Sequence, residues 1–229
     1  MRIVFIISFL LAPLVSLADD IKPPEASKFF TEDGTVAEKG KFELQTIYTF
    51  STATHQFDSN SNNIDRESTN THTLTKEITY GLLDTLEVSL DIGWAFLNDN
   101  DSNPSTGNGL TDLVLIPKWN FYTSKNNWSF VYSPVLVIPI GDESDADEIG
   151  PGQGFWTIDQ KIAVTKNWGN LTFNTDVGFA LPLGEKRETY RGTLYWDGAL
   201  GYQVTPLLNL FLKSIQLTIF MKKMKKPIA

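Results

Sequence analysis

Five carboxylates crowd one short stretch of the chain, Asp142, Glu143, Asp145, Asp147 and Glu148. Clustered carboxylate oxygens suit a hard cation, either Ca²⁺ or an ion bridging lipopolysaccharide phosphates. The acids do not follow the D-x-D-x-D-G order of an EF-hand loop, so a solvated surface loop is the preferred reading and no metal is assigned. Gly150, Gly152 and Gly154 follow without a Lys-Ser/Thr pair or a helix. They are read as the permissive backbone of a bend or bulge rather than a phosphate cradle. A hydrolase needs a positioned base beside a nucleophile or water. The two histidines are His55 and His72, and Ser51 and Asp58 lie near the first. In so polar a tract such proximity arises by chance. The chain is read as a non-enzyme with no cofactor.

A second set of charges is laid out differently. Glu43, Glu87, Asp91, Asp112, Lys118, Asp159, Lys161, Asp176 and Asp197 stand in runs whose alternate positions are apolar. If these runs are strands, the charges share one face of a sheet. Carboxylates on an enclosed face can select cations or bind a solute. They can equally pair with Lys118 and Lys161 and plug a narrow interior, because small barrels fill with side chains. Both readings stay open.

The runs themselves carry strand periodicity. Trp128, Phe130, Tyr132, Pro134, Leu136, Ile138 and Ile140 occupy every second position, and Trp156, Ile158, Ile162 and Val164 return opposite Thr157, Asp159, Lys161 and Thr165. The alternation begins at Phe42, Leu44, Tyr48 and Phe50, opposite Glu43 and Gln45. A weaker run covers Thr71–Tyr80, where Lys76 falls on the apolar face, and a clean one covers Leu86–Phe96. Leu113–Phe121, Leu171–Leu181 and Leu194–Val204 repeat the pattern, and a ninth run starts after Thr205-Pro206. Connections alternate between long polar tracts (DSNSNNIDRESTN, NDNDSNPSTGNG, the acidic loop, GEKRETYRG) and tight turns such as NWGN. Long strands, long loops on one side and short turns on the other are the layout of a transmembrane β-barrel. Aromatic residues gather near both strand ends: Trp119, Phe121, Trp128, Phe130 and Trp168 at the short turns, and Trp94, Phe96, Phe155, Trp156 and Trp196 at the long loops. Two such rings suit two membrane–water interfaces.

Bulk properties bound the rest. The chain has 229 residues, 41% of them hydrophobic, with 19 basic against 27 acidic residues and no cysteine. The net charge of −8 makes nucleic acid an unsuitable partner, and without cysteine there is no disulfide or thiolate chemistry. Residues 1–18 join a basic Arg2 to an apolar stretch and the ending Ser16-Leu17-Ala18, the form of a cleaved secretory signal peptide. Residues 19–40 read as an extended lead-in with little structure of its own, 41–220 as the barrel, and 221–229 as a basic tail. The expected fold is all-β, an antiparallel transmembrane β-barrel in the outer membrane with about nine strands visible.

Three segments, GLTDLVLIPKW at Gly109–Trp119, VLVIPIGDES at Val135–Ser144 and GPGQGFWTIDQKIAVT at Gly150–Thr165, together resemble the outer-membrane proteins named for the MetA pathway of phenol degradation. The similarity spans about Phe42 to Leu210. It implies a Gram-negative outer-membrane barrel of 10–12 strands that takes up small compounds, aromatic or hydrophobic ones among them, and it brings no catalytic residues. The chain departs from that pattern at its end. Leu208, Leu210 and Leu212 share one parity and Ile215, Leu217 and Ile219 the other, before the tail MKKMKKPIA. The parity change predicts that family-like sequence stops near Lys213–Ser214 and that a ninth strand lacks a return partner. A second copy of the chain would then close the seam. The expected partners are outer-membrane lipid, lipopolysaccharide and a small solute. The alternative function is a non-conducting structural or surface-interaction barrel.

Overall fold

Strict alternation gives each run two unlike faces, and short turns force consecutive runs to pair antiparallel. The computed structural model describes residues 2–6, 33–57, 63–100, 105–143, 149–184, 190–205 and 208–222, with 2–6, 53–57, 63–67, 190–191, 205 and 208–222 described as backbone. Its strands are β1 (Arg2–Ile6), β2 (Phe42–Phe57), β3 (Asn63–Leu83), β4 (Leu86–Asp99), β5 (Ser105–Leu110), β6 (Leu113–Thr123), β7 (Trp128–Ile138), β8 (Thr157–Trp168), β9 (Leu171–Pro182), β10 (Tyr190–Thr205) and β11 (Leu208–Lys222). All nine expected runs are present, together with β1 and β5. They form one curled antiparallel sheet in the order β1-β2-β3-β4-β6-β7-β8-β9-β10-β11, with β5 beside β4. Among the described residues the ladder ends at β1 on one side and β11 on the other. No described helix is long and apolar enough to cross a membrane.

Burial is inverted relative to a water-soluble sheet. Six hydrophobic residues are buried among the described residues, three of them alanines and one more the alanine of the lead-in, against thirteen polar or charged ones. The large apolar side chains point out: Leu74, Ile78, Leu90, Trp94, Ile162, Val177 and Trp196 are all exposed. The outer face carries both aromatic rings. At the short turns Lys166 lies over Trp128 and Trp168, 5.3 and 5.4 Å from their centroids. Near the long loops His72 stacks 4.8 Å from Phe50 and shares a 2.7 Å hydrogen bond with the Tyr48 hydroxyl. Lys76 lies on this face as its parity requires, donating to Thr46 Oγ1 at 2.6 Å. At the NWGN turn Gly169 takes φ +57°, a left-handed value that glycine supplies without strain and that a tight hairpin turn needs.

Several features differ from the sequence reading. The tract expected as a loop before Thr71 is strand from Asn63, because β2 offers it a ladder: Phe57 faces Asn63 and His55 faces Asp65. Hydrogen-bond partners, not side-chain type, decide strand structure there. The tract ending at Gly109 likewise contains β5, which pairs with the upper half of β4 while β6 pairs with the lower half. Phe121 keeps the outward face expected of it, beside Trp119 and Phe130, but Asn120 faces Val131 and Tyr122 faces Phe130, so a bulge at Phe121 turns Tyr122 outward too and ends the alternation there.

The parity change in the ninth run has the same cause. Ala199 faces Lys213 and Gly198 faces Ile215, leaving Ser214 as the bulged residue. The bulge sets Leu210 and Leu212 opposite Tyr202 and Leu200, and Leu217 and Ile219 opposite Trp196 and Leu194. The register therefore matches both parities to the apolar positions of β10, and β11 is paired through Lys222. Parity gives no ground for ending the fold at Lys213–Ser214. Residues 1 and 7–18 of the expected signal peptide and 223–229 of the tail lie outside the described residues, while Arg2–Ile6 lies antiparallel to Ala53–Thr49.

Candidate functional site

The enclosed face holds all nine charged residues singled out by alternation. Glu87, Asp112, Lys118, Asp176 and Asp197 are buried, and Glu43, Asp91, Asp159 and Lys161 are half-buried. They fall at three levels between the short turns and the long loops.

At the short-turn level Lys118 is the centre. Its ammonium lies 3.0 Å from Asp33 Oδ1 and 2.9 Å from Glu87 Oε1, with every partner at most 4% exposed. The lead-in is expected from sequence to lack structure, yet its described part, 33–40, packs inside the curl. Gly34 N donates to Thr165 Oγ1 at 2.6 Å, Asn120 Nδ2 donates to Gly34 O at 2.5 Å, and Ala37 N donates to Glu87 Oε2. A Cβ on Gly34 would lie 2.4 Å from Ser129 Cβ, so only glycine lets the segment seat this deeply. Thr165 passes the chain of bonds on to Asn174 Oδ1, 2.5 Å away.

The middle level is acidic. Asp176 and Asp197 face each other directly across β9 and β10. One pair further from the short turns on the same face, Gly178 faces Tyr195, and a Cβ on Gly178 would lie 2.1 Å from the phenol carbon. That space admits the tyrosine ring, whose hydroxyl donates to Asp159 Oδ2 at 2.5 Å. Like charges opposite one another, as at Asp176 and Asp197, are unfavourable, while the hydroxyl donor serves the neighbouring Asp159.

At the long-loop level Asp112 accepts Gly141 N at 3.1 Å and Gln153 N at 2.8 Å. Asp142 accepts Leu110 N at 2.7 Å through its carboxylate and donates its own N–H to Leu110 O at 2.9 Å. These bonds fix the described start of the acidic loop against the sheet, with Asp142 and Glu143 themselves exposed, as a solvated loop requires. Its glycines serve that approach: a Cβ on Gly107 would sit 1.9 Å from Ile149 O, and one on Gly150 2.2 Å from Asp142 O. Beneath the loop lies a cavity of about 300 Å³ lined by Thr75, Asp91, Thr111, Asp112, Val114 and Gln153 among others.

Asp142 is committed to Leu110, and a Cβ on Gly154 would lie 2.6 Å from the Glu143 carboxylate, while Asp145, Asp147 and Glu148 lie outside the described residues. No group of three metal-ligating side chains occurs among the described residues. His72 points outward to Tyr48, away from the enclosed charges; the His55 side chain and Asp58 lie outside the described residues. Sequence reasoning misses Asp33, Thr165, Asn174 and Tyr195 as members of the site. Parity could have found Tyr195, which sits between the outward Leu194 and Trp196. Nothing local marks Asp33.

A family model described as "Putative MetA-pathway of phenol degradation" matches residues 30–220. The match begins before Phe42 and runs past Ser214, so the similarity is longer at both ends than the segments quoted from sequence suggest. No curated protein matches the chain.

Proposed function

The chain belongs to this family, whose matched residues take in β2 through β10 and nearly all of β11, and from that premise we propose that it is an outer-membrane barrel conducting small solutes. The family description relates the chain to a phenol-degradation pathway. The observation that carries the reading is the inverted burial, with thirteen polar or charged residues buried, all but Lys166 inside the curl, and the tryptophans turned out. In lipid the exposed Leu, Ile, Val and Trp side chains are solvated by acyl chains, and charges are tolerated only on the enclosed face. Residence in a bilayer also requires that the edge strands be paired, to each other or to a second copy, since open backbone is not tolerated in hydrocarbon; once the expected signal peptide, which carries β1, is removed, those edges are β2 and β11.

Glu43, Glu87, Asp91, Asp112, Asp159, Asp176 and Asp197 outnumber Lys118 and Lys161 on that face. Such a lining disfavours anions and suits cations and neutral solutes that donate hydrogen bonds, phenolic hydroxyls among them. The acidic loop at the long-loop end faces outward in this reading, where it meets solute and lipopolysaccharide cations. The second reading, a non-conducting barrel, is favoured by the ion cluster at Lys118, which occupies the other end. Planar-bilayer recordings of the refolded full chain decide between them. The conduit predicts discrete current steps with a reversal potential shifted toward cation selectivity in a salt gradient. Current no greater than that of bare lipid, for wild type and for variants at the Lys118 cluster alike, would leave the structural barrel.

A further inference from the structure

Residues 33–38 have an unusual standing in the fold. They lie within the curl without a ladder of their own, next to a single bridge between Lys39 and Gly81. Asp33 and Ala37 are buried to the degree of the wall's own enclosed residues, at 1% and 2% exposure. The bonds that seat them run mainly to wall side chains: Lys118, Glu87, Thr165 and Asn120. Glu87, Asn120 and Thr165 belong to the short-turn halves of their strands and Lys118 is the middle residue of β6, so the segment lies toward one mouth of the enclosed space.

The segment is held differently at its two ends. Gly40 takes φ +78° at the joint to β2, where its N–H donates to Gly81 O at 2.7 Å and Lys41 N–H donates to Glu38 O at 2.9 Å, so the turn at 38–41 is the anchored end and residues 33–37 are the part held by wall side chains. Lys118 keeps Glu87 when Asp33 departs, so release strands no buried ammonium. Asp33 itself passes into water, where a carboxylate is well solvated.

We propose that residues 33–37 are a resident stopper of the short-turn mouth, latched by the Asp33–Lys118 ion pair and pivoting on the anchored turn that precedes β2. The proposal rests on the transport reading above and adds its regulation. Solute flow through the enclosed face requires the latch to open, and the charge on Asp33 sets how often it does.

The test uses Ala37→Cys as a reporter in the full chain, which has no cysteine of its own. A membrane-impermeant maleimide measures whether the introduced thiol is enclosed, and bilayer current measures whether the mouth is open. Three backgrounds are compared: wild type, Asp33→Asn, and the exchange Asp33→Lys with Lys118→Asp, which puts an ammonium between two carboxylates again. The thiol is expected to be protected in the first, to react at least about tenfold faster in the second, and to be protected once more in the third. Current should rise in the second and fall back in the third. Rapid labelling in wild type, or equal protection in all three, overturns the latch whatever the current. A rise in labelling with unchanged but measurable current overturns the gate and leaves transport standing. Labelling that rises with no current in any background overturns the transport reading and the gate with it. Heat-modifiable mobility on gels confirms that each variant is folded.

Discussion

The two ends of the enclosed face are closed by different chemistry. At the short turns the closure is ionic, a single ammonium shared by Asp33 and Glu87 with all three groups buried. At the long loops it is a matter of backbone, in which Asp112 takes the N–H groups of Gly141 and Gln153 and Asp142 exchanges bonds with Leu110. The first closure depends on charges that one substitution can delete. The second is distributed over main-chain groups and over glycines that permit main chain to approach main chain. In the proposed conduit the ionic end is the one suited to opening and the backbone-held end the one suited to filtering.

The comparison breaks most sharply at Lys118. Lys118→Met leaves two buried carboxylates without the ammonium between them, and the expected loss is about 3–5 kcal/mol in unfolding free energy. Urea titration of the refolded protein in detergent micelles measures it. A loss under about 1 kcal/mol would mean that the short-turn end is not held ionically. The wall between the two ends supplies the control. Ile162→Asp puts a carboxylate on the exposed outer face, 54% accessible, and should lower the yield of assembled protein at a cost below the about 2–4 kcal/mol of a basic residue at mid-bilayer. Asp159 lies half-buried on the opposite face, and Asp159→Leu should assemble better than Ile162→Asp. Equal assembly of the two would reverse the assignment of faces. The smallest global effect belongs to the long-loop end. Asp112→Ala removes two charge-assisted bonds, about 1.5–3 kcal/mol each locally, but what it frees is loop rather than wall. Proteolysis between 139 and 156 should speed up while the urea midpoint shifts little. A fall in the midpoint as large as that of Lys118→Met would erase the distinction between the two ends.

Much of this is legible in the chain. Period-two alternation assigns Glu87, Lys118, Asp176 and Asp197 to one face and Leu90, Trp94, Ile162 and Val177 to the other, as the structure has them. Alternation is a local property of an extended chain, so it survives whatever the strand later pairs with. It fails where the chain gains a residue. The bulges at Phe121 and Ser214 each reset parity, and the second makes a continuous strand look like the end of the family's sequence. Loop tracts are misread for a related reason. Asn63–Asn70 and Ser105–Leu110 lack strand-forming composition and become strands because a neighbour's free ladder lies beside them.

The sequence by itself determined an all-β, up-and-down sheet with an acidic polar face, because spacing and turn chemistry act within a few residues of each other. Only the tertiary structure decided which of those polar groups meet. Asp33 reaches Lys118 across 85 positions, and Tyr195 reaches Asp159 across 36. Such meetings depend on the summed register of every intervening strand, on a glycine at 178 that leaves room for a ring, and on a glycine at 34 that lets a segment lie against the wall. No local pattern carries that sum, since each bulge along the way shifts it by one residue and turns a side chain to the other face.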